Sequence, residues 1–465
     1  MLTRDKAREI FDRVLTHSSA DETEAILAGS AHALTRFANN TIHQNVAEES
    51  SALSVRVVLG GRTARASTNK LDEESIRRTV EAAEALAKVQ QPDPDLLPMV
   101  TAAEAGAAAE GTPSRYFDET AAVTPEERAQ AVRRIVEVAS RNKLTAAGIY
   151  STSQSAEAIL NSRGLAQFHQ QTSSEISITM LGGDSSGWQK ANSPDARNLD
   201  PATLAETAAC KARDSAAPRE IPPGKHTVIL EPAAVLDLVG FMFWDFGGMA
   251  LLDQRSFLND RVGKKIFGEN ITIWDDVTHP LQSGAPFDGE GVRRQRVKLV
   301  ENGVVKSLVY ARGTAARMKA KQPELAAQVG EVAATGHGFP LPNEMGEAPM
   351  NVVFQGGPAG SRKTVEEMIA STERGVLVTR LWYIREVDPY EKILTGMTRD
   401  GTFAIQNGKL LHGIRNFRFN QSLLHLLSNV EAMGEPVRAS GEESFDMVVP
   451  PMKVRDFNFT EVTKF

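Results

Sequence analysis

The sequence predicts an α+β protein, in which a duplicated helix-strands-helix module forms a layered α/β domain and a mainly antiparallel β domain follows it. Three observations predict this. The order helix, β-rich stretch, helix occurs twice before residue 220, at an offset of roughly 125–130 residues. The character of the chain changes after Pro222-Pro223-Gly224-Lys225. Beyond that point two Asn-Gly turns each divide short apolar runs, which is the mark of β-hairpins.

In the first copy, residues 3–18 have the spacing of an amphipathic helix, and Ala33 to Ala66 is β-rich. A second helix opens at Leu71-Asp72-Glu73-Glu74, with Asp72 as N-cap and acidic residues in the first turn. The second copy begins at Thr124-Pro125-Glu126-Glu127. Thr124 and Glu127 form a capping box there, and Pro125 takes the first helical position. A β-rich stretch runs from Ala146 to Gly182, and the closing helix opens at Leu199-Asp200-Pro201. Ile42-His43-Gln44 matches Phe168-His169-Gln170, and Ser54-Val55-Arg56-Val57 resembles Ser177-Ile178-Thr179-Met180 in its alternation. Asn39-Asn40 and Asn161-Ser162-Arg163-Gly164 supply turns that tolerate positive φ. Residues 91–123, rich in Pro, Ala and Gly, read as a linker or long loop. The expected organisation is residues 1–100 as the first repeat, 101–220 as the second, and 221–465 as the β-rich domain.

In that last part, Glu301-Asn302-Gly303 separates two apolar runs and Gln406-Asn407-Gly408 separates two more. Helices are expected at 232–245 and at roughly 363–374. Trp244 lies in Phe241-Met242-Phe243-Trp244-Asp245-Phe246, a run too aromatic for a solvent face, so a core or subunit-interface position is expected.

Composition excludes several function classes. A net charge of −7 and no dense Lys/Arg run leave no footprint for a nucleic-acid backbone, so direct DNA binding is not expected. No stretch has the length and apolarity of a membrane span, and the charged N-terminus lacks the apolar core of a signal peptide, which points to the cytoplasm. Cys210 is the single cysteine, so an intramolecular disulfide and a thiolate-rich zinc site are excluded; its Ala-rich surroundings suit a small buried residue.

Familiar catalytic motifs are missing. There is no Gly-x-Ser-x-Gly, no phosphate-binding loop ending in Gly-Lys-Ser/Thr, no Gly-x-Gly-x-x-Gly after a strand, and no His-Glu-x-x-His. The nine histidines are scattered; His43 and His169 lie in polar strands and read as solvated or core residues. Asp275, Asp276, Asp288 and Glu290 offer hard oxygen ligands for a cation, or turn hydrogen bonds. His337 sits in Ala334-Thr335-Gly336-His337-Gly338-Phe339-Pro340, a Gly/Pro-rich loop of the kind that lines clefts.

The run Thr227 to Phe241 resembles the strand-into-helix segment that opens the C-terminal domain of the TldD/PmbA family. Ile271 to Asp276 resembles that family's hydrophobic-Asp-Asp strand end, and Phe287-Asp288-Gly289-Glu290-Gly291 its acidic turn. Leu299 to Val304 resembles its Glu-Asn-Gly hairpin, and Thr395 to Lys409 its late Thr-Gly block. These elements come in family order, and the repeated N-terminal half fits as well. In the catalytic branch the resemblance implies His-Glu-x-x-x-His on the helix and a cysteine near the C-terminus, holding zinc and activating water. Here Leu236, Asp237 and Phe241 occupy the three helix positions, and Phe445 to Val454 contains no cysteine.

The resemblance therefore implies a PmbA-type (TldE-type) subunit with no metal ligands and no catalytic residues of its own. Zinc is expected in a TldD-type partner, with the two chains enclosing a chamber for peptides; a homodimer is the other pairing. His337, Asp288 and Glu290 are the candidate cleft residues. The apolar helix at 236–246 and the edge strands are the candidate interface or cavity wall. Alternatives from other classes are a non-proteolytic peptide-binding protein, a gyrase-modulator-like regulator, and a lone peptidase with ligands among Asp275, Asp288, Glu290 and His337.

Overall fold

The computed structural model describes residues 1–106 and 112–463, so part of the 91–123 segment lies outside the described residues. Both modules follow from their caps and apolar spacing. α1 (Arg4–His17) begins at Thr3, whose hydroxyl accepts from the Lys6 N–H, and it buries Ala7, Ile10, Phe11 and Val14. The strands β1 (Glu22–Ala38), β2 (Thr41–Leu59) and β3 (Arg62–Thr68) form a meander, and α2 (Glu73–Val89) begins at Asp72. After the single turn α3 (Asp118–Ala121), the order repeats. α4 (Pro125–Arg141) carries the Thr124–Glu127 capping box. It is followed by β4 (Thr145–Asn161), β5 (Ala166–Leu181), β6 (Ser186–Ser193) and α5 (Pro201–Asp214), which is capped by Asp200. Caps of this kind stabilise a helix by about 1 kcal/mol each.

The meanders join through their first strands. The sheet order is β3-β2-β1-β4-β5-β6, and β1 runs antiparallel to β4 from Glu24↔Asn161 to Phe37↔Gly148. β1 starts at Glu22, well before Ala33, because pairing on both sides overrides the weak local signal there. Alternation along the strands sends Ala25, Leu27, Ala158 and Leu160 toward α1 and α2. Phe37, Ala146, Ile176 and Ile178 pack toward α4 and α5 on the same face. The opposite face presents Ile26 and Ile159, which pack against Ala285, Phe287 and Val292 of the C-terminal domain.

The C-terminal domain opens with β7 (Gly224–Leu230) and α6 (Pro232–Val239). One sheet is built from β8 (Thr272–Asp275), β9 (Val297–Glu301), β10 (Val304–Val305), β11 (Val352–Gln355), β19 (Val437–Ala439) and β20 (Met447–Val449). The other joins β7 to β12 (Arg374–Val378), β13 (Leu381–Asp388), β14 (Ile393–Thr398), β15 (Thr402–Gln406), β16 (Lys409–Gly413), β17 (Phe417–Ser422), β18 (Val430–Met433) and β21 (Met452–Val462). Pairing is antiparallel except for β7 with β12 and β11 with β20. Both Asn-Gly turns form as expected: Asn302 and Gly303 have φ of 48° and 77°, and Asn407 and Gly408 have φ of 50° and 73°.

The helix expected over 232–245 ends as α6 and continues as a tight 3-10 stretch, Gly240–Phe246. The one expected near 363–374 contracts to Val365–Ala370, since β12 claims the chain from Arg374. Glu347 anchors two short helices, α7 (Gly248–Leu252) and α8 (Arg312–Lys321). Its carboxylate accepts from the Met249 N–H, the Ala311 N–H and the Thr314 hydroxyl, all within 3.0 Å.

Candidate functional site

Leu236 is fully buried in the core of the C-terminal domain, and Phe241 packs half-buried at its margin. Asp237 is also buried, and the loop over residues 440–446 covers it. Its Oδ1 accepts from the N–H groups of Glu442 and Glu443, 3.1 Å each, while Oδ2 has no partner among the described residues. Burial pushes the carboxyl up to about 7, against the pull of those N–H groups and of Arg380.

The loop lies directly on the helix. A Cβ at Gly441 would stand 2.1 Å from Asp237 Oδ1 and 2.5 Å from Leu236 Cδ2. One at Gly240 would stand 1.9 Å from Ser444 Oγ. The helix thus meets the loop that leads into Phe445–Val454, and Met447 Cε of that stretch would stand 3.5 Å from a Cβ at Gly240, with hydrocarbon, the Asp237 carboxylate and main-chain amides at the contact. That donor set does not fit zinc, which takes three protein N, S or O ligands and an open position. Among the described residues, no three His, Cys, Asp or Glu side chains converge to hold an ion.

The N-terminal sheet fixes this loop from the other side. Lys190 Nζ donates to the Gly441 carbonyl at 3.0 Å, and Asn192 Nδ2 donates to Asp446 Oδ2 at 2.6 Å. Arg438 bonds both Asn192 and Asp446.

His337 turns inward, away from any cavity wall. Its Nε2 lies 2.9 Å from Asp275 Oδ1 and its Nδ1 2.9 Å from Thr335 Oγ1, and the pair is fully buried. Asp275 Oδ2 accepts from the Met350 and Asn351 N–H groups, 2.8 Å each. Burial opposes the charged carboxylate, yet His337, the charge of Arg294 and the Asn351 N–H hold Asp275 below its ordinary value. The pair shapes the loop whose next residues, Gly338 and Phe339, do line a cavity.

Asp288 is a turn carboxylate. Oδ1 accepts from the Glu290 and Val292 N–H groups and Oδ2 from the Gly338 N–H; burial, reinforced by Glu290, raises it to about 7. Glu290 accepts from the Arg312 N–H and lies 3.6 Å from its guanidinium. Asp276 pairs with Arg296 at 2.9 Å. Each of these carboxylates is thus engaged locally. Cys210 is half-buried, and its Sγ accepts from Arg213 at 3.2 Å.

Two cavities flank the loop. The first, about 670 Å3, is lined by Gly240, Phe241, Trp244, Lys392 and Phe445 among others. Lys392 Nζ bridges Asp245 at 2.6 Å and Glu386 at 2.8 Å on its wall. Trp244, expected in the core or an interface, is 49% exposed and stacks on Phe339 with ring centroids 5.9 Å apart. The second cavity, about 440 Å3, lies between the N-terminal sheet and the C-terminal domain, and Phe445 walls both. Ile26, Glu157 and Ile159 enter it from the sheet, and Phe287, Asp288 and Arg294 from the other domain. Glu157 and Arg294 carry no local motif, so only the docking of the two domains reveals them.

Family profiles match along the chain: residues 24–87 match PmbA/TldA metallopeptidase domain 1, residues 118–216 the central domain, and residues 223–461 the C-terminal domain. Metalloprotease PmbA of Escherichia coli O157:H7 is 22% identical over 417 residues, covering 87% of this chain and 85% of that protein. A metalloprotease PmbA homolog of Haemophilus influenzae is 26% identical over 272 residues, 55% of this chain and 58% of that one. The crystal structure of TldE from Thermococcus kodakarensis superposes with a TM-score of 0.83 at 21% identity, covering 98% of this chain and 100% of that chain.

Proposed function

The chain belongs to the PmbA/TldD metallopeptidase family, and from that premise we propose that it is the metal-lacking, PmbA/TldE-type subunit of a cytoplasmic peptide-processing complex. In this reading it completes the chamber of a TldD-type peptidase, which brings the zinc, and the substrate is a peptide. One observation carries the proposal. Leu236 and Phe241, the residues that the family resemblance sets at the zinc-binding positions, carry no ligand atom, and the loop 440–446 packs against Leu236, Asp237 and Gly240. Hydrolysis through zinc needs imidazole, thiolate or carboxylate ligands and a base beside them, and among the described residues no three such side chains converge here. The first cavity, next to that helix, is the proposed stretch of chamber wall.

The test is metal analysis of the purified chain, then peptide cleavage with and without a TldD-type subunit. Cleavage that requires both chains, with zinc bound only by the partner, is the expected result. One zinc per chain together with hydrolysis by this chain alone would overturn the assignment. The second reading, a non-proteolytic peptide-binding protein, is favoured by the cavity between the domains, which needs no metal to bind a ligand. Retention of an intact peptide by the chain alone, unchanged by the partner, would select it.

A further inference from the structure

The second cavity has a chemical asymmetry on its wall. Six polar or charged side chains reach it: Glu157, Ser283, Asp288, Arg294, Asn351 and Asp446. Four are already engaged. Asp288 holds three backbone N–H groups, Asn351 donates to the Ser283 carbonyl, Ser283 accepts from Arg438, and Asp446 holds Asn192 and Arg438. Among the described residues, Glu157 and Arg294 make no side-chain hydrogen bond and no ion pair.

They do feel each other. Burial raises the Glu157 carboxyl and the charge of Arg294 opposes that rise, although the two are not in ion-pair contact. Arg294 Nη1 is buried without a partner. The charge of Arg294 also pulls down the carboxyls of Asp275 and Asp288, so the half-buried guanidinium lies among carboxylates. Its buried Nη1 still lacks an acceptor, and a buried N–H left without one is costly. Glu157 is an exposed residue on the cavity wall. Between and around the two charges the walls are apolar, with Ile26, Ile159, Phe287, Phe339 and Phe445.

We infer that this cavity binds a small zwitterion with an apolar side chain, an apolar α-amino acid, whose carboxylate meets Arg294 and whose ammonium meets Glu157. A planar guanidinium with free N–H groups matches a carboxylate, and a free carboxylate matches an ammonium. The remaining apolar wall takes the side chain, and about 440 Å3 holds a leucine or a phenylalanine with room to spare. A neutral or singly charged ligand would leave one of the two groups unpaired. The inference goes beyond the subunit reading above and does not depend on it.

Isothermal titration of the full chain with leucine, phenylalanine, leucinamide and N-acetylleucine tests it. Leucine and phenylalanine bind, while leucinamide, without the carboxylate, and N-acetylleucine, without the ammonium, each bind about tenfold weaker or less. Arg294→Gln abolishes the preference for leucine over leucinamide, and Glu157→Gln abolishes the preference for leucine over N-acetylleucine. The ligand series on the unaltered chain stands by itself if either variant fails to fold. Absence of heat with both amino acids at about 10 mM overturns the inference, as does equal binding of leucine and its two capped forms. Cleavage or metal content of the chain does not enter these readouts, so the subunit reading can fail without it.

Discussion

The two copies of the N-terminal module share caps, strand order and helix packing, yet their outer edges differ. In the first copy β3 covers only Leu53 to Leu59 of β2, and the rest of that edge, Thr41 to Ala52, is almost wholly exposed. In the second copy β6 covers Ser174 to Leu181 of β5, and beyond it the Thr172 N–H donates to the Arg115 carbonyl. β6 and α5 are in turn tied to the C-terminal domain through Lys190, Asn192 and Lys211. One fold pattern thus serves two ends. The bare edge carries His43, Gln44, Glu48 and Glu49, whose polarity discourages pairing with another strand, and the covered edge carries the residues that fasten the domains.

The contrast can be broken most sharply at one pair of equivalent positions. Ala64 faces Val57 in the first copy and Gly187 faces Met180 in the second. A Cβ at Gly187 would lie 2.1 Å from the Ala208 carbonyl oxygen and 2.5 Å from the Ala212 nitrogen, so Gly187→Val costs about 3 kcal/mol in urea unfolding. Ala64→Gly costs about 1 kcal/mol or less. Equal losses at the two sites would show that the copies are not distinguished by their helices' approach.

Counting from the caps Asp72 and Asp200, Lys211 occupies the place of Ala83. Its ammonium bonds the Trp188 carbonyl, Gln189 and Glu231, so Lys211→Ala lowers stability by about 2 kcal/mol, less than a fully buried pair because Glu231 keeps contact with water. A thermal unfolding midpoint that does not move would remove this tie from the account.

Asp237 sharpens the comparison through pH. Its carboxyl, at about 7 in the folded chain against an ordinary 3.8, binds more protons folded than unfolded in that window. Its contribution to stability therefore falls as pH rises from about 4 to 7. Asp237→Asn keeps an oxygen for the Glu442 and Glu443 amides and abolishes that fall, leaving the variant more stable than the parent by about 4 kcal/mol at pH 8 and similar at pH 4. Parallel stability curves for the two chains across this range would refute it.

Asn192→Ala removes one bond to Asp446 of the 440–446 loop and one to Arg438 of β19, and costs about 1 kcal/mol, with faster hydrogen exchange at the Glu442 and Glu443 amides as the readout. The smallest effect belongs to the bare edge, where Gln44→Ala changes stability by less than about 0.5 kcal/mol.

Much of this architecture was legible in the sequence because it is written locally. Thr124 with Glu127, Asp72 and Asp200 cap the helices that their spacing announced, and the Asn-Gly pairs turn the hairpins they divide. The absence of imidazole at 236 and 241 was equally plain. What lay beyond reach was long-range: β1 pairing with β4, the two parallel strand pairs, and His337 turning from a cleft-like loop to Asp275 in the core. Asp237 was visible as a residue, but the loop 440–446 that buries it comes from the far end of the chain. Glu157 and Arg294 have no motif to mark them, and only the meeting of two domains brings them to one wall.

Gly240 and Gly441 act as a seal between the two ends of the C-terminal domain. With no side chain at either position, the main chain and Ser444 lie so close to Leu236 and Asp237 that one added methyl group would collide. Any substitution there has to lift the covering loop before the helix can change.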